Sequence, residues 1–207
     1  MGKLLFDTTG LSAAQINDFE ATCKALKENF RIEVPGYIDF KLEQFEALNH
    51  HHKTTVRDAF AIKNICGDSY LLFVEIEALA NPAKSKIKYQ TEQQPVGLVY
   101  LKRDFGRVFI RTETYIDKMR ELIFPIELDF SEDRPFSKRF YVLTDDKYKT
   151  ALAMQQDFRD AMMAIKETDF VVEIFEHTLI ISNPKPLTPE HTLYLADFVA
   201  RLAALKC

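Results

Sequence analysis

A change of hydrophobic period constrains this chain more than any other feature. Apolar residues recur at helical spacing near both ends and in alternation, one in two, through the middle. Ile16, Phe19, Cys23, Leu26 and Phe30 fall on one helical face, and Ser12 with Gln15 forms a capping-box pattern, so residues 12–30 read as a helix. Pro35-Gly36 ends it. Ile38, Leu42, Phe45 and Leu48 lean helical before the polar connection Asn49-His50-His51-His52. From Thr55 the period becomes two. Val56, Asp58, Phe60, Ile62 and Asn64, followed by an apolar run over 70–78, flank Gly67-Asp68 and predict a hairpin with a two-residue turn. A second hairpin is expected from 96–103 and 107–113 around Asp104-Phe105-Gly106, and short strands at 125–130 and 138–144, limited by Pro125 and Pro135. Asp145-Asp146 then open a long helix, because acids are favoured beside its unpaired N–H groups, and its stripe runs from Ala151 through Met154 and Phe158 to Ile165. Residues 169–182 predict one more hairpin, turning at Glu176-His177. Thr188-Pro189-Glu190 opens a C-terminal helix through Leu195, Phe198, Leu202 and Leu205. Hairpins imply antiparallel pairing, so the fold class is α+β: a central antiparallel sheet of hairpins with flanking N-terminal and C-terminal helices. For 207 residues the expectation is one domain spanning 1–207, with a sub-boundary near 120–136 as the alternative.

Charge narrows the partners. The net charge is −4, made up of zero over 1–103 (13 basic, 13 acidic) and −4 over 104–207 (14 basic, 18 acidic). With no basic half to neutralise phosphates, nucleic acid is excluded as an expected partner, as is an anionic membrane reached by charge alone. Lys84, Lys86 and Lys88 read as a solvated loop or edge strand. The opening Met1-Gly2-Lys3-Leu4-Leu5-Phe6-Asp7 has too short an apolar run for a secretory signal, and charged residues interrupt every longer apolar stretch, so no membrane span is expected. Cys23, Cys66 and Cys207 are sparse, odd in number and lack Cys-x-x-Cys spacing. They predict a reducing compartment, and the whole reads as soluble and cytoplasmic.

Reactive constellations are weak. His50-His51-His52 offers imidazoles, but consecutive side chains diverge, only His50 and His52 can share a face, and no further ligand pattern accompanies them, so no metal is assigned. Cys23 lies on the apolar face of the first helix, and no G-x-S-x-G elbow presents a serine. His177 beside Glu173 and Glu176 resembles a base with a carboxylate partner, yet alternation along a strand sends most such residues to solvent. The helix start accounts for Asp145-Asp146. The six glycines never approach a phosphate-cradling motif. No catalytic, cofactor-binding or metal-binding residue is assigned, no cofactor is expected, and the 17 phenylalanines read as core.

Arg57-Asp58-Ala59-Phe60 leading to Gly67, then Phe73 to Glu77; Gly97-Leu98-Val99-Tyr100 leading to Asp104-Phe105-Gly106-Arg107-Val108-Phe109-Ile110; and Phe140, Val142, Thr144 and Asp146 opening a helix form an ordered series. In that order they resemble a bacterial family known only as a domain of unknown function, whose members often follow a pair of membrane-spanning helices. The resemblance covers roughly two thirds of the chain, from Tyr37 to Ile181. This sequence departs from it at Thr150, where the family has a small Ala, in lacking a Leu-Thr-Pro in the helix, and in lacking the membrane-spanning pair. The resemblance implies a fold and supplies no catalytic residue. The leading expectation is a non-catalytic domain that binds a protein partner or itself. An enzyme or small-ligand domain whose polar groups converge only in three dimensions is the alternative.

Overall fold

The computed structural model describes residues 9–49, 53–79, 89–112 and 126–205. The chain begins with helix α1 (Ala13–Asn29), whose capping box is formed as the sequence predicts: the Gln15 N–H donates to Ser12 Oγ, and the Ser12 N–H donates to Gln15 Oε1. A two-residue strand β1 (Ile32–Glu33) follows, then a 3-10 turn at Leu42–Gln44 and one turn of helix, α2 (Glu46–Asn49). The helical lean of 38–48 therefore condenses into two short turns.

Long strands β2 (Lys53–Ile62), β3 (Ser69–Leu79) and β4 (Tyr89–Tyr100) come next, then β5 (Arg107–Thr112), β6 (Ile126–Glu127), helix α3 (Arg134–Arg139) and β7 (Phe140–Thr144). Helices α4 (Lys147–Ala153) and α5 (Gln156–Met163), strands β8 (Val171–Phe175) and β9 (Thr178–Ser182), and helix α6 (Pro189–Ala204) complete the described chain. Among the described residues nine strands join one sheet in the order β1-β2-β3-β4-β9-β8-β5-β7-β6, with each of these pairings antiparallel. The fold is α+β with α1 and α6 flanking the sheet.

The first hairpin forms, with Ile62 opposite Ser69, but its connection is the six residues 63–68 and not two. The second does not form. β4 pairs with β3 and β9, and β5 pairs with β8 and β7, so the β8–β9 hairpin lies between the two strands expected to be partners. The cause is local to 101–106, which receives the tip of that hairpin and makes no turn of its own. The Leu101 N–H donates to the His177 carbonyl (2.6 Å), the Phe105 N–H to the Glu176 carbonyl (2.9 Å), and the Glu176 N–H to the Gly106 carbonyl (2.7 Å). These bonds hold Glu176, a non-glycine residue at φ 53°, in the left-handed conformation its two-residue turn requires.

The long helix expected after Asp146 breaks at Met154-Gln155, where Met154 is fully buried and its carbonyl accepts from Arg159 Nη1 (2.7 Å). Helix α3 is an element beyond the sequence reading, although Asp133, accepting from the Phe136 N–H, and Pro135 in its first turn mark its start.

Two cores follow from the sheet having two covered faces. Phe60, Leu71, Phe73, Val99, Ile110 and Ile181 pack with α1, α4, α5 and α6 on one face. Leu72, Val74, Ile76, Val96, Leu98 and Ile180 pack on the other, beneath Phe45 and Leu48. Neighbouring β3 residues thus serve opposite cores, which is why this strand is apolar at nearly every position from Leu71 to Ile76.

Candidate functional site

The second face is covered by a segment with little regular structure, and its attachment defines the site. Phe45 and Leu48 anchor it by burial, since both are inaccessible to solvent or nearly so. Two charged side chains from the sheet hold its backbone. Glu173 on β8, 0% exposed, accepts from the N–H groups of Glu46 (3.1 Å) and Ala47 (2.9 Å). Arg107 on β5 donates to the Gln44 carbonyl (3.2 Å) and to Glu46 Oε1 (3.3 Å), lies 3.6 Å from Glu173 Oε1, and stacks over the Phe175 ring at 4.8 Å. Burial outweighs these favourable contacts, and the Glu173 carboxyl is pushed up to about 7.

Ahead of this anchor the chain walls a groove of about 490 Å³, lined by Tyr37, Phe40, Leu42, Leu48, Thr54 and Val56 among others. Asp39 Oδ1 accepts from the Lys41 N–H (3.1 Å), which supports Lys41 at φ 49°, and Asn49 Nδ2 donates to the Glu43 carbonyl (2.5 Å). The Thr54 hydroxyl donates to the Leu48 carbonyl (2.8 Å), tying the segment to β2. Phe40 meets Tyr70 edge-on at 5.3 Å, and Tyr70 meets Tyr100 at 5.9 Å, so an aromatic row backs the segment. Burial raises the pKa of both tyrosines, which keeps their hydroxyls protonated. Tyr37 stands at the mouth, 98% exposed.

The residues singled out in the sequence are dispersed. His50-His51-His52 and Lys84, Lys86 and Lys88 lie outside the described residues. Glu173 and His177 do not form a dyad, because Glu173 is engaged by α2 while His177 sits exposed in the β8–β9 turn. Asp145 and Asp146 face different partners: Asp145 Oδ1 accepts from the Arg107 N–H (3.0 Å), and Asp146 Oδ1 accepts from the Lys149 N–H (3.0 Å) as the N-cap of α4. Cys23 is buried and free, its thiol pushed up to about 12 chiefly by burial. Cys66 is disulfide-bonded, which removes the thiol argument for a reducing compartment. Among the described residues no helix is long and apolar enough to cross a membrane, and no group of three or more His, Cys, Asp or Glu gathers as metal ligands.

The groove itself was not legible from the chain, because one wall is a low-propensity loop whose backbone is held by Arg107 and Glu173, about 60 and 130 residues away. The available signal was Arg107 and Glu173 as charged residues inside apolar strand runs.

No protein-family model matches this chain, and no curated protein matches it by sequence. Among solved structures it is similar to the crystal structure of the mycobacterial trehalose monomycolate transport factor A, TtfA, with a TM-score of 0.56 and 9% sequence identity over 94% of this chain and 95% of that one. At that identity the likeness is one of fold.

Proposed function

We propose that this chain is a non-catalytic interaction module that docks a protein partner at the groove between the 37–49 segment and β2. The observation that carries the reading is a fully exposed aromatic, Tyr37, at the mouth of a groove with a partly apolar lining, held in shape by buried Glu173 and half-buried Arg107. Exposed aromatics beside preformed apolar concavities are the side chains that carry binding energy in protein interfaces. The charged groups near the groove support the same reading, because Asp39, Glu173 and Arg107 spend hydrogen bonds on backbone and fix conformation, and among the described residues these bonds leave no nucleophile and base poised together. The likeness to a transport factor concerns the fold and does not choose the partner.

The test is site-specific photo-crosslinking in the native host, with p-benzoylphenylalanine in place of Tyr37 and, as a control, of the equally exposed Tyr148 on α4. A discrete protein adduct from position 37 and none from 148 is expected. No adduct, or the same products from both positions, overturns the reading.

A further inference from the structure

His191, in the first turn of α6, is 5% exposed, and among the described residues neither of its ring nitrogens makes a hydrogen bond. Nδ1 faces Glu167 Oε1, from the α5–β8 connection, at 3.7 Å, which is too far for a bond. That oxygen is held by Lys185 Nζ at 2.9 Å, and Glu167 Oε2 accepts from Asn183 Nδ2 (2.5 Å). Asn183 and Lys185 belong to residues 183–188, the connection from β9 to α6, which the Leu187 N–H fastens to the Gln93 carbonyl (3.0 Å). Pro184, Pro186 and Leu187 wall a cavity of about 390 Å³ that Gln15 and Asp18 of α1 also line. Glu167 thus tethers one wall of the cavity, and an imidazole with no bond of its own stands against the same carboxylate oxygen.

We propose that His191, Glu167 and Lys185 form a proton-operated latch on residues 183–188: a protonated His191 takes Glu167 Oε1 from Lys185, and the connection loosens where it walls the cavity. The step consists of one proton passing from solvent to the imidazole, after which Nδ1–H donates to Oε1. Closing 3.7 Å to hydrogen-bond distance takes a shift of about 1 Å. Lys185 is the group that leaves. Two cations at one carboxylate oxygen repel each other, and the Lys185 side chain, 42% exposed, can give its ammonium to water, whereas the buried imidazolium cannot. Among the described residues the charged groups facing the ring are Glu167 and Lys185. On α6 itself Glu190 is exposed, and the Tyr194 hydroxyl, one turn on, accepts from the Lys166 N–H (2.9 Å). Burial holds the imidazole below its ordinary 6.5, so the latch stays closed until the solution turns acidic.

Nitrogen-15 NMR of the full chain from about pH 8 to about pH 5 follows ring and backbone together, the His191 ring signals being those lost in His191→Gln. The amides of Lys185 and Leu187 are expected to shift with the midpoint of the His191 ring. Below that midpoint the Leu187 amide should lose about tenfold or more of its hydrogen-exchange protection, after correction for the intrinsic pH dependence of exchange. His191→Gln should abolish both responses. Lys185→Met leaves the buried ring in place and removes the competing cation, so it should raise the ring midpoint by about half a pH unit and leave Leu187 equally weakly protected across the range. A ring that stays neutral down to acid unfolding, a ring that titrates while the Lys185 and Leu187 amides stay still, a midpoint that Lys185→Met does not raise, or amide shifts that persist in His191→Gln would each overturn the latch.

Discussion

Thr150 is where the family resemblance expects a small Ala, and the structure gives the reason for the hydroxyl. Its side chain is fully buried, donates to the Phe105 carbonyl (2.9 Å) and shares a hydrogen bond with Thr144 Oγ1 (2.6 Å), which in turn accepts from the Asp146 N–H (3.1 Å). The start of α4 is thereby fastened to the 101–106 saddle that seats the β8–β9 tip. Thr150→Val keeps the shape and deletes the donor, so it should cost about 1–2 kcal/mol in denaturant unfolding, with Thr150→Ser nearer to wild type. A Val variant as stable as wild type would remove this role. Gly97 is constrained by space. A Cβ there would meet Val199 Cγ1 at 2.7 Å and Ile181 Cγ2 at 2.9 Å, where α6 crosses the sheet. Gly97→Ala should lose about 1–3 kcal/mol, and adding Val199→Ala should recover part of that loss, because the two changes share one contact. Strict additivity in the double variant would show that the clash is not the cause.

Among elements, α4 tests how far a helix start can be read from sequence. Asp146 is its N-cap, accepting from the Lys149 N–H, and it lies apart from Asp145 in its contacts. Asp146→Asn should leave the melting temperature nearly unchanged, because Asn also caps, whereas Asp146→Ala should cost about 1 kcal/mol. Calorimetry of the two variants checks this, and an Asn as damaging as Ala would mean that the charge itself matters. The elements read correctly share this local character: α1 with its capping box, α6 with Thr188 and Pro189, and the β8–β9 hairpin all carry their start or turn signals within a few residues. The misread ones depend on distant partners. The β4–β5 hairpin fails because 101–106 accepts another hairpin's tip, and the long helix breaks because Arg159 and the core claim Met154. The groove belongs with these, since its shape depends on Arg107 and Glu173 reaching across the sheet.

At the scale of the whole molecule, two buried titratable groups on opposite sides of the fold give the chain opposing responses to pH. Glu173 on the second face has its carboxyl raised from 4.5 to about 7 by burial, so the folded state binds a proton more tightly than the unfolded chain does. Its contribution favours folding at low pH and is lost as pH rises from about 4.5 through about 7. His191, in the first turn of α6 and 5% exposed, responds in the other direction. Neither ring nitrogen has a hydrogen-bond partner among the described residues, Glu167 Oε1 stands 3.7 Å from Nδ1, and Lys185 Nζ pairs with that same oxygen at 2.9 Å. Burial holds the imidazole below its ordinary 6.5 despite the carboxylate, so the unfolded state takes up the proton first and stability is lost as pH falls below about 6.5. In the wild type the two slopes oppose each other across the same window and flatten the profile. Single variants should separate them. Glu173→Gln should leave a melting temperature that rises with pH up to about 6.5, while His191→Gln should leave one that falls from about 4.5 to about 7. Differential scanning calorimetry across this range, at fixed ionic strength, decides the matter. Parallel profiles for the two variants would mean that neither group titrates differently on folding, and that the clamp on the 37–49 segment holds whatever the protonation state of Glu173.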